Sequence, residues 1–310
     1  MNKVRACLKI SSWSANSSFS IQRLKSKQAL RETSYLADFD IPCSRFDIRY
    51  SIIMHPYAII DLGTNTFHLL IAEVVDKGFR ILYKERIFVK LGENGVETIG
   101  QLPFERGILA MNHFSEVIQQ FRVQKVKAIG TAALRTASNG QEFLRRVKKE
   151  ANIEIETITG DREAQSIHRG VSLAVPIEAN ETVLMMDIGG GSVEFIIANQ
   201  QQVFWAKSFP IGVAVLFKQF HHSDPIVEHE ITDLFSFLND TLQPLDQALQ
   251  QFPIDRLIGA SGTFDVLEDN LRKTNSNTNY SIIQLSEFSP FLEKVLQSTQ
   301  AQRYQMSQIP

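Results

Sequence analysis

Two stretches of the chain carry the same pattern of apolar and polar positions. Residues 183–198 read Val-Leu-Met-Met-Asp187-Ile-Gly189-Gly190-Gly191-Ser192-Val-Glu194-Phe-Ile-Ile-Ala. An apolar run ends in a carboxylate, a small polar turn follows, and a second carboxylate opens a second apolar run. Residues 57–74 read Tyr-Ala-Ile-Ile-Asp61-Leu-Gly63-Thr64-Asn65-Thr66-Phe-His68-Leu-Leu-Ile-Ala-Glu-Val. Asp61 falls in the place of Asp187, Gly63 in that of Gly189 and Thr66 in that of Ser192. Apolar runs of this length around a glycine turn predict paired β-strands. The duplicated strand–turn–strand predicts two similar halves facing one another across a cleft.

The remaining pattern fills in an α/β chain. Gly78 turns into a third strand running to Leu91, and three glycines make 92–102 a loop. Ile108, Met111, Phe114, Ile118 and Phe121 recur at helical spacing over 103–121, with Pro103 at a position suited to a helix start. Strands are expected at 123–130, 153–158, 202–209 and 254–260. Helices are expected at 141–152, at 161–174 and over 285–300. Another helix is expected to start at Pro225 and to bury Ile231, Leu234, Phe235, Leu238 and Leu242. Residues 176–182 are expected as a hinge and 274–280 as a polar loop.

The turns carry the candidate chemistry. Glycines let backbone N–H groups crowd against an anion, because no Cβ stands in the way. Carboxylates beside such an anion site make sense when a divalent cation bridges carboxylate and phosphate oxygens. The plain alternative for Gly189–Ser192 is a glycine-rich surface hairpin. Arg135 follows the fourth strand, where a guanidinium offers planar donors to phosphate or simply sits in a solvated loop. Glu163 stands in the first turn of a helix, where acids complement the helix N-terminus or, as a general base, hold an attacking water. Ser261-Gly262-Thr263 opens a later helix and is either a third phosphate-facing corner or an ordinary cap. His221, His222, Asp224, His229 and Glu230 are read as polar residues near a helix start and not as a metal set.

Composition narrows the class. The 310 residues are 44% hydrophobic and 21% charged with a net charge of −2, which fits a globular enzyme and gives no electrostatic case for binding nucleic acid. No apolar run is long enough to span a bilayer. Residues 1–53 differ from the rest: they are serine-rich, no acid precedes Glu32, and both cysteines, Cys7 and Cys43, lie there. They are read as a leader outside the fold, so that a chain beginning at Met54 would melt unchanged. The cysteine-free body points to a cytoplasmic setting.

Five motifs occur together in one order: Ile60–His68, Gly130-Thr131-Ala132-Ala133-Leu134-Arg135, Gly160-Asp161-Arg162-Glu163-Ala164, Asp187–Glu194, and Ser261-Gly262-Thr263. With them the chain, over roughly residues 56–310, resembles the exopolyphosphatase and guanosine-pentaphosphate phosphatase family of the actin-like ATPase superfold. The resemblance implies an α/β fold of two actin-like (ribonuclease H-like) lobes with mixed sheets and flanking helices around a central cleft. The lobes are expected at 54–178 and 179–310, the second ending short of the family's further helix and strands. It implies release of the terminal phosphate of inorganic polyphosphate or guanosine pentaphosphate, with no nucleic-acid or membrane partner and with a homodimer left open. Glu163 is implied as the base. Asp187, Glu194 and Asp61 are implied to hold Mg²⁺ or Mn²⁺. Gly63, Thr64, Asn65, Thr66, Arg135, Gly189, Gly190, Gly191, Ser192, Ser261, Gly262 and Thr263 are implied to face phosphate. The chain departs from the family pattern at Gln165 and Val215, where arginines are usual. A small-molecule kinase of the same superfold and a non-catalytic alarmone or polyphosphate sensor are the competing readings.

Overall fold

The structure, a computed structural model, describes residues 20–24, 55–75, 78–93, 95–271, 273–276 and 280–306. The chain divides into two compact units, Gln28–Gly170 and Val171–Pro310, the second also taking in an N-terminal strand, β1 (Ser20–Leu24). The division falls between Gly170 and Val171, inside a helix and ahead of the segment expected as a hinge.

The first unit is a five-stranded mixed sheet with flanking helices. Strands β2 (Tyr57–Leu62), β3 (Thr66–Val75) and β4 (Gly78–Phe88) form an antiparallel meander. Strands β5 (Lys125–Gly130) and β6 (Ile155–Thr157) add to β2 in parallel, giving the order β4-β3-β2-β5-β6. Side chains of a strand alternate between its two faces. Ala58, Ile60 and Leu62 therefore meet Ile108, Met111 and Phe114 of helix α1 (Gln101–Gln120) and Phe143 and Val147 of helix α3 (Gly140–Ala151). Ile59 turns the other way, into a smaller cluster with Ala72, Ile129 and Ile158. Asp61 shares the parity of Ile59, so its carboxylate stands on the face opposite α1 and α3. The expected loop around Arg135 holds a short helix, α2 (Ala132–Thr136). Helix α4 (Gly160–Ala174) follows β6.

The second unit repeats this plan. Strands β7 (Val183–Ile188), β8 (Val193–Ala198) and β9 (Val203–Phe209) form the meander, and β10 (Arg256–Ala260) pairs in parallel with β7. Leu184, Val193, Phe195 and Ile197 pack with Phe237, Leu238, Leu245 and Ala248 of helices α6 (Glu228–Thr241) and α7 (Gln243–Gln251). Asp187 and Glu194 again take the opposite face. Helix α5 (Val213–Phe220) follows β9, and helix α8 (Gly262–Asn270) follows β10. With β11 (Lys273–Ser276) and β12 (Tyr280–Gln284) at the far edge, the full order is β11-β12-β1-β10-β7-β8-β9.

Five expectations are corrected here. The polar loop expected over 274–280 is entered by a strand, β11 (Lys273–Ser276), that pairs antiparallel with β12 (Tyr280–Gln284). The helix expected over 285–300 is a 3₁₀ turn (Leu285–Glu287), then α9 (Phe288–Gln297), then α10 (Gln300–Arg303), whose start Thr299 caps through its hydroxyl. The helix expected from Pro225 begins at Glu228. Its apolar stripe is half-buried, and its one fully buried residue is Glu230. Glu230, expected among surface polar residues, accepts hydrogen bonds from the Ser223 hydroxyl and from the backbone N–H of His222 and Val227 at 2.9 and 3.1 Å. Lastly, residues 1–53 do not lie wholly outside the fold: Ser20–Leu24 pair on both edges, parallel with β10 and antiparallel with β12. Residues 1–19 and 25–53, with both cysteines, lie outside the described residues. No described helix is long and apolar enough to cross a membrane.

Candidate active site

The two glycine turns superimpose in their bonding as they do in sequence. Gly63 N–H donates to the Thr66 carbonyl at 3.0 Å, and Gly189 N–H donates to the Ser192 carbonyl at 2.9 Å. Two register steps outward, Asp61 stands directly opposite His68 on β3, and Asp187 directly opposite Glu194 on β8.

The surroundings of each turn fix which way its peptides point. In the second unit the carbonyls of Gly189, Gly190 and Gly191 accept from the N–H groups of Val213, Ala214 and Gly212 at 3.0, 2.8 and 3.2 Å. These donors belong to the start of α5. In a trans peptide the carbonyl and the following N–H point in opposite directions. The N–H groups of Gly190, Gly191 and Ser192 therefore face away from α5, three successive donors of the kind an anion-binding nest uses. Gly212 makes this docking possible, because a Cβ there would fall 2.4 Å from the Gly190 carbonyl carbon. Sequence reasoning assigned Gly212 no role; its spacing two residues after Pro210 was the only available signal. In the first unit the Thr64 carbonyl accepts from Gly92 N–H and the Asn65 carbonyl from Val89 and Lys90 N–H, at 2.9–3.2 Å. The N–H groups of Asn65 and Thr66 are turned the other way by the same argument. Thr131 ties this turn to the next strand, donating from its N–H to the Leu62 carbonyl at 3.2 Å.

Asp187 and Glu194 are both buried, at 3% and 1% exposure. Side chains directly opposite in an antiparallel pair have Cβ atoms about 4.5–5.5 Å apart, and like charges there repel. The Ser208 hydroxyl, on β9, donates to Glu194 Oε1 at 2.7 Å and orients it. Two buried carboxylates side by side, with a ring of amides one turn away, are hard oxygen donors that fit a Mg²⁺-sized cation. Among the described residues no three His, Cys, Asp or Glu side chains group as a metal-ligand set. The pair therefore fits an ion that keeps water and phosphate oxygens in the rest of its shell, as Mg²⁺ does.

In the first unit the structure brings Arg135 and Glu163 together. Arg135 Nη1 donates to the Ile158 carbonyl at 2.8 Å and lies 3.4 Å from Glu163 Oε2. Glu163 is 3% exposed at the start of α4, its N–H bonded to the Thr159 carbonyl. A helix-terminus acid that only complements the dipole is ordinarily solvated; this one is buried against a guanidinium. The contact was not foreseen, because 28 residues separate the two. Gln165 lies along the same helix, lining a surface depression of about 270 Å³ with Thr159, Arg162 and Arg169.

Ser261 precedes α8 with φ +92°, a backbone region costly for a residue with a side chain. Its carbonyl accepts from Phe264 N–H at 2.9 Å, and the space beside Gly262 is open. No side-chain cap bond forms at this helix start.

Known proteins share sequence and fold with this chain. The Ppx/GppA phosphatase family model matches residues 70–309. A guanosine-5′-triphosphate,3′-diphosphate pyrophosphatase of Aeromonas hydrophila is 28% identical over 233 residues, which is 74% of this chain and 47% of that protein. The chain thus spans about half the length of such relatives. A Haemophilus influenzae protein named as an exopolyphosphatase is 30% identical over 78% of this chain and 74% of its own length. The crystal structure of an exopolyphosphatase from Cytophaga hutchinsonii is 36% identical and matches with a TM-score of 0.76 over 83% of this chain and 84% of that one. A Ppx/GppA enzyme of Aquifex aeolicus is 26% identical with a TM-score of 0.65, over 83% and 86%. The fold is the actin-like α/β architecture of these proteins, and the chain belongs to the Ppx/GppA phosphatase family.

Proposed function

We propose that the chain hydrolyses a terminal phosphoanhydride, releasing orthophosphate from inorganic polyphosphate or from the 5′ end of guanosine pentaphosphate. The observation that carries this reading is the second glycine turn: three N–H groups turned outward beside two adjacent buried carboxylates. That combination suits a phosphate bound together with a divalent cation. Relatives named as guanosine-5′-triphosphate,3′-diphosphate pyrophosphatase and as exopolyphosphatase support the substrate class.

In this reading the outward N–H groups of Gly190, Gly191 and Ser192 hold phosphate oxygens, as do those of Asn65 and Thr66. Asp187 and Glu194 would hold Mg²⁺ or Mn²⁺, which when bound supplies positive charge against the phosphate oxygens. Glu163, held beside Arg135, takes a proton from water as the water oxygen bonds to the terminal phosphorus. The bridging P–O bond breaks in line, and its electron pair leaves with the shortened phosphate chain. Arg135 holds the Glu163 carboxylate in place. Both of its described contacts run through Nη1, which leaves the rest of the guanidinium fork for phosphate oxygens.

The experiment is orthophosphate release from polyphosphate, guanosine pentaphosphate and ATP, each with Mg²⁺ and with a chelator. The reading expects release from at least one of the first two, lost with the chelator, and little from ATP. Release from ATP only when a hydroxyl acceptor is added would favour a kinase. Tight binding of polyphosphate without turnover would favour a sensor.

A further inference from the structure

The two sheets repeat one order up to their fourth strand and then differ in how the fifth place is filled. In the first sheet β6 lies parallel beside β5 and comes next along the chain. In the second sheet the corresponding place, parallel beside β10, is taken by β1 from the far N-terminal end. Ile21, Gln22 and Arg23 register against Leu257, Ile258 and Gly259. On its other edge β1 pairs antiparallel over its whole length, from Ser20 opposite Gln284 to Leu24 opposite Tyr280.

The strand is a keystone. Among the described residues β10 pairs with β7 and β1, and β12 pairs with β11 and β1. The β11–β12 hairpin therefore joins the sheet's ladder through β1. Two ladder spacings of about 4.8 Å leave a slot roughly 9–10 Å wide between β10 and β12, the width of one strand. The rims of the slot are interior: Ile258, Ser281 and Ile283 are fully buried. Helix α8 covers one face, with Phe264 and Leu267 packed on Leu257 and Ile283. An empty slot would set two rows of backbone donors and acceptors facing each other unpaired, in surroundings where such groups are nearly always bonded.

We propose that the space between β10 and β12 is a strand-acceptor site, filled by this chain's own Ser20–Leu24 as an exchangeable fifth strand. Recognition is by main-chain hydrogen bonds on both edges, the mode in which an extended peptide augments a sheet. The bond network, and not continuity of the chain, holds the segment, because it reaches the slot from the opposite end of the sequence to its neighbours. Filling the slot also steadies β10, whose last residue, Ala260, leads directly into Ser261. This inference stands apart from the hydrolase reading and is tested without an activity assay.

Hydrogen exchange on the intact chain decides it first. Backbone N–H groups of Ile21–Arg23 are expected to exchange roughly 100-fold or more slowly than in a free peptide of the same sequence. Exchange at the free-peptide rate would overturn the proposal, whether or not a shorter chain folds. The second arm uses a chain beginning at Met54. It is expected to melt several degrees lower, with faster exchange at Leu257–Gly259, and a synthetic peptide of residues 18–26 is expected to restore both. The same peptide with Gln22→Pro, which loses a ladder donor at mid-strand, is expected to restore neither. Protection of Ile21–Arg23 without rescue by the added peptide would overturn exchangeability.

Discussion

At the scale of the residue, the two halves of the duplicated motif differ at one telling position. Asp61 faces His68 where Asp187 faces Glu194. Of the two turns, only the second sets two carboxylates directly opposite each other, a concentration of negative charge suited to a cation. Asp187→Asn removes half of that charge. It is expected to abolish Mg²⁺ binding measured by calorimetry and to lower phosphate release at least roughly 100-fold. The apo protein should melt no lower than the parent, since a like-charge contact has been removed; a variant with full activity in the presence of a chelator would contradict the assignment. Glu163 is tested by the amide, which cannot accept a proton from water. Glu163→Gln is expected to cut turnover roughly 10²–10⁴-fold while polyphosphate affinity is kept or slightly increased. Turnover within a few-fold of the parent would return Glu163 to the role of a helix-terminus acid.

At the scale of the element, the loop before α6 shows a carboxylate used for structure. Glu230 gathers the Ser223 hydroxyl and two backbone N–H groups, and these donors, the hydroxyl foremost, hold its carboxyl down at about pKa 2. A depressed acid contributes stability that is fully present above its unfolded value and is lost as pH falls through the folded one. The contribution therefore disappears between about pH 4.5 and about pH 2. Melting of the parent and of Glu230→Gln across that range should show two curves that converge toward the acid end; curves that stay parallel would exclude the linkage. This element also shows what a sequence conceals. The glycine turns and their flanking strands were legible because most positions of β2 and β7 are buried, and each apolar run stands out as it ends at a single aspartate. Helices α1 and α3 were legible from their 3.6-residue spacing. Glu230, Gly212 and the Arg135–Glu163 contact were not, because each depends on a partner brought close by the fold. Lys273–Ser276 reads as a polar loop because its strand identity comes from pairing with β12 and not from an apolar face.

At the scale of the whole molecule, the family, the actin-like α/β class and the doubling of the Asp-x-Gly turn were all readable from five short motifs in order. The role of the N-terminal segment was not. Its composition marks it as unlike the body, yet Ser20–Leu24 contribute a strand whose pairing is set by an open place in a remote sheet. Composition reports the average character of a segment, whereas a ladder needs only five residues of extended backbone. The account's central claim is that the doubled turns serve attack by water on a terminal phosphate. The most direct test is to incubate the chain with Mg²⁺ and polyphosphate in ¹⁸O-labelled water and to read the released orthophosphate by mass spectrometry. The account predicts one solvent oxygen in each phosphate released, with none released by Glu163→Gln beyond a trace. Phosphate released without the label, or no release while polyphosphate binds, would contradict it.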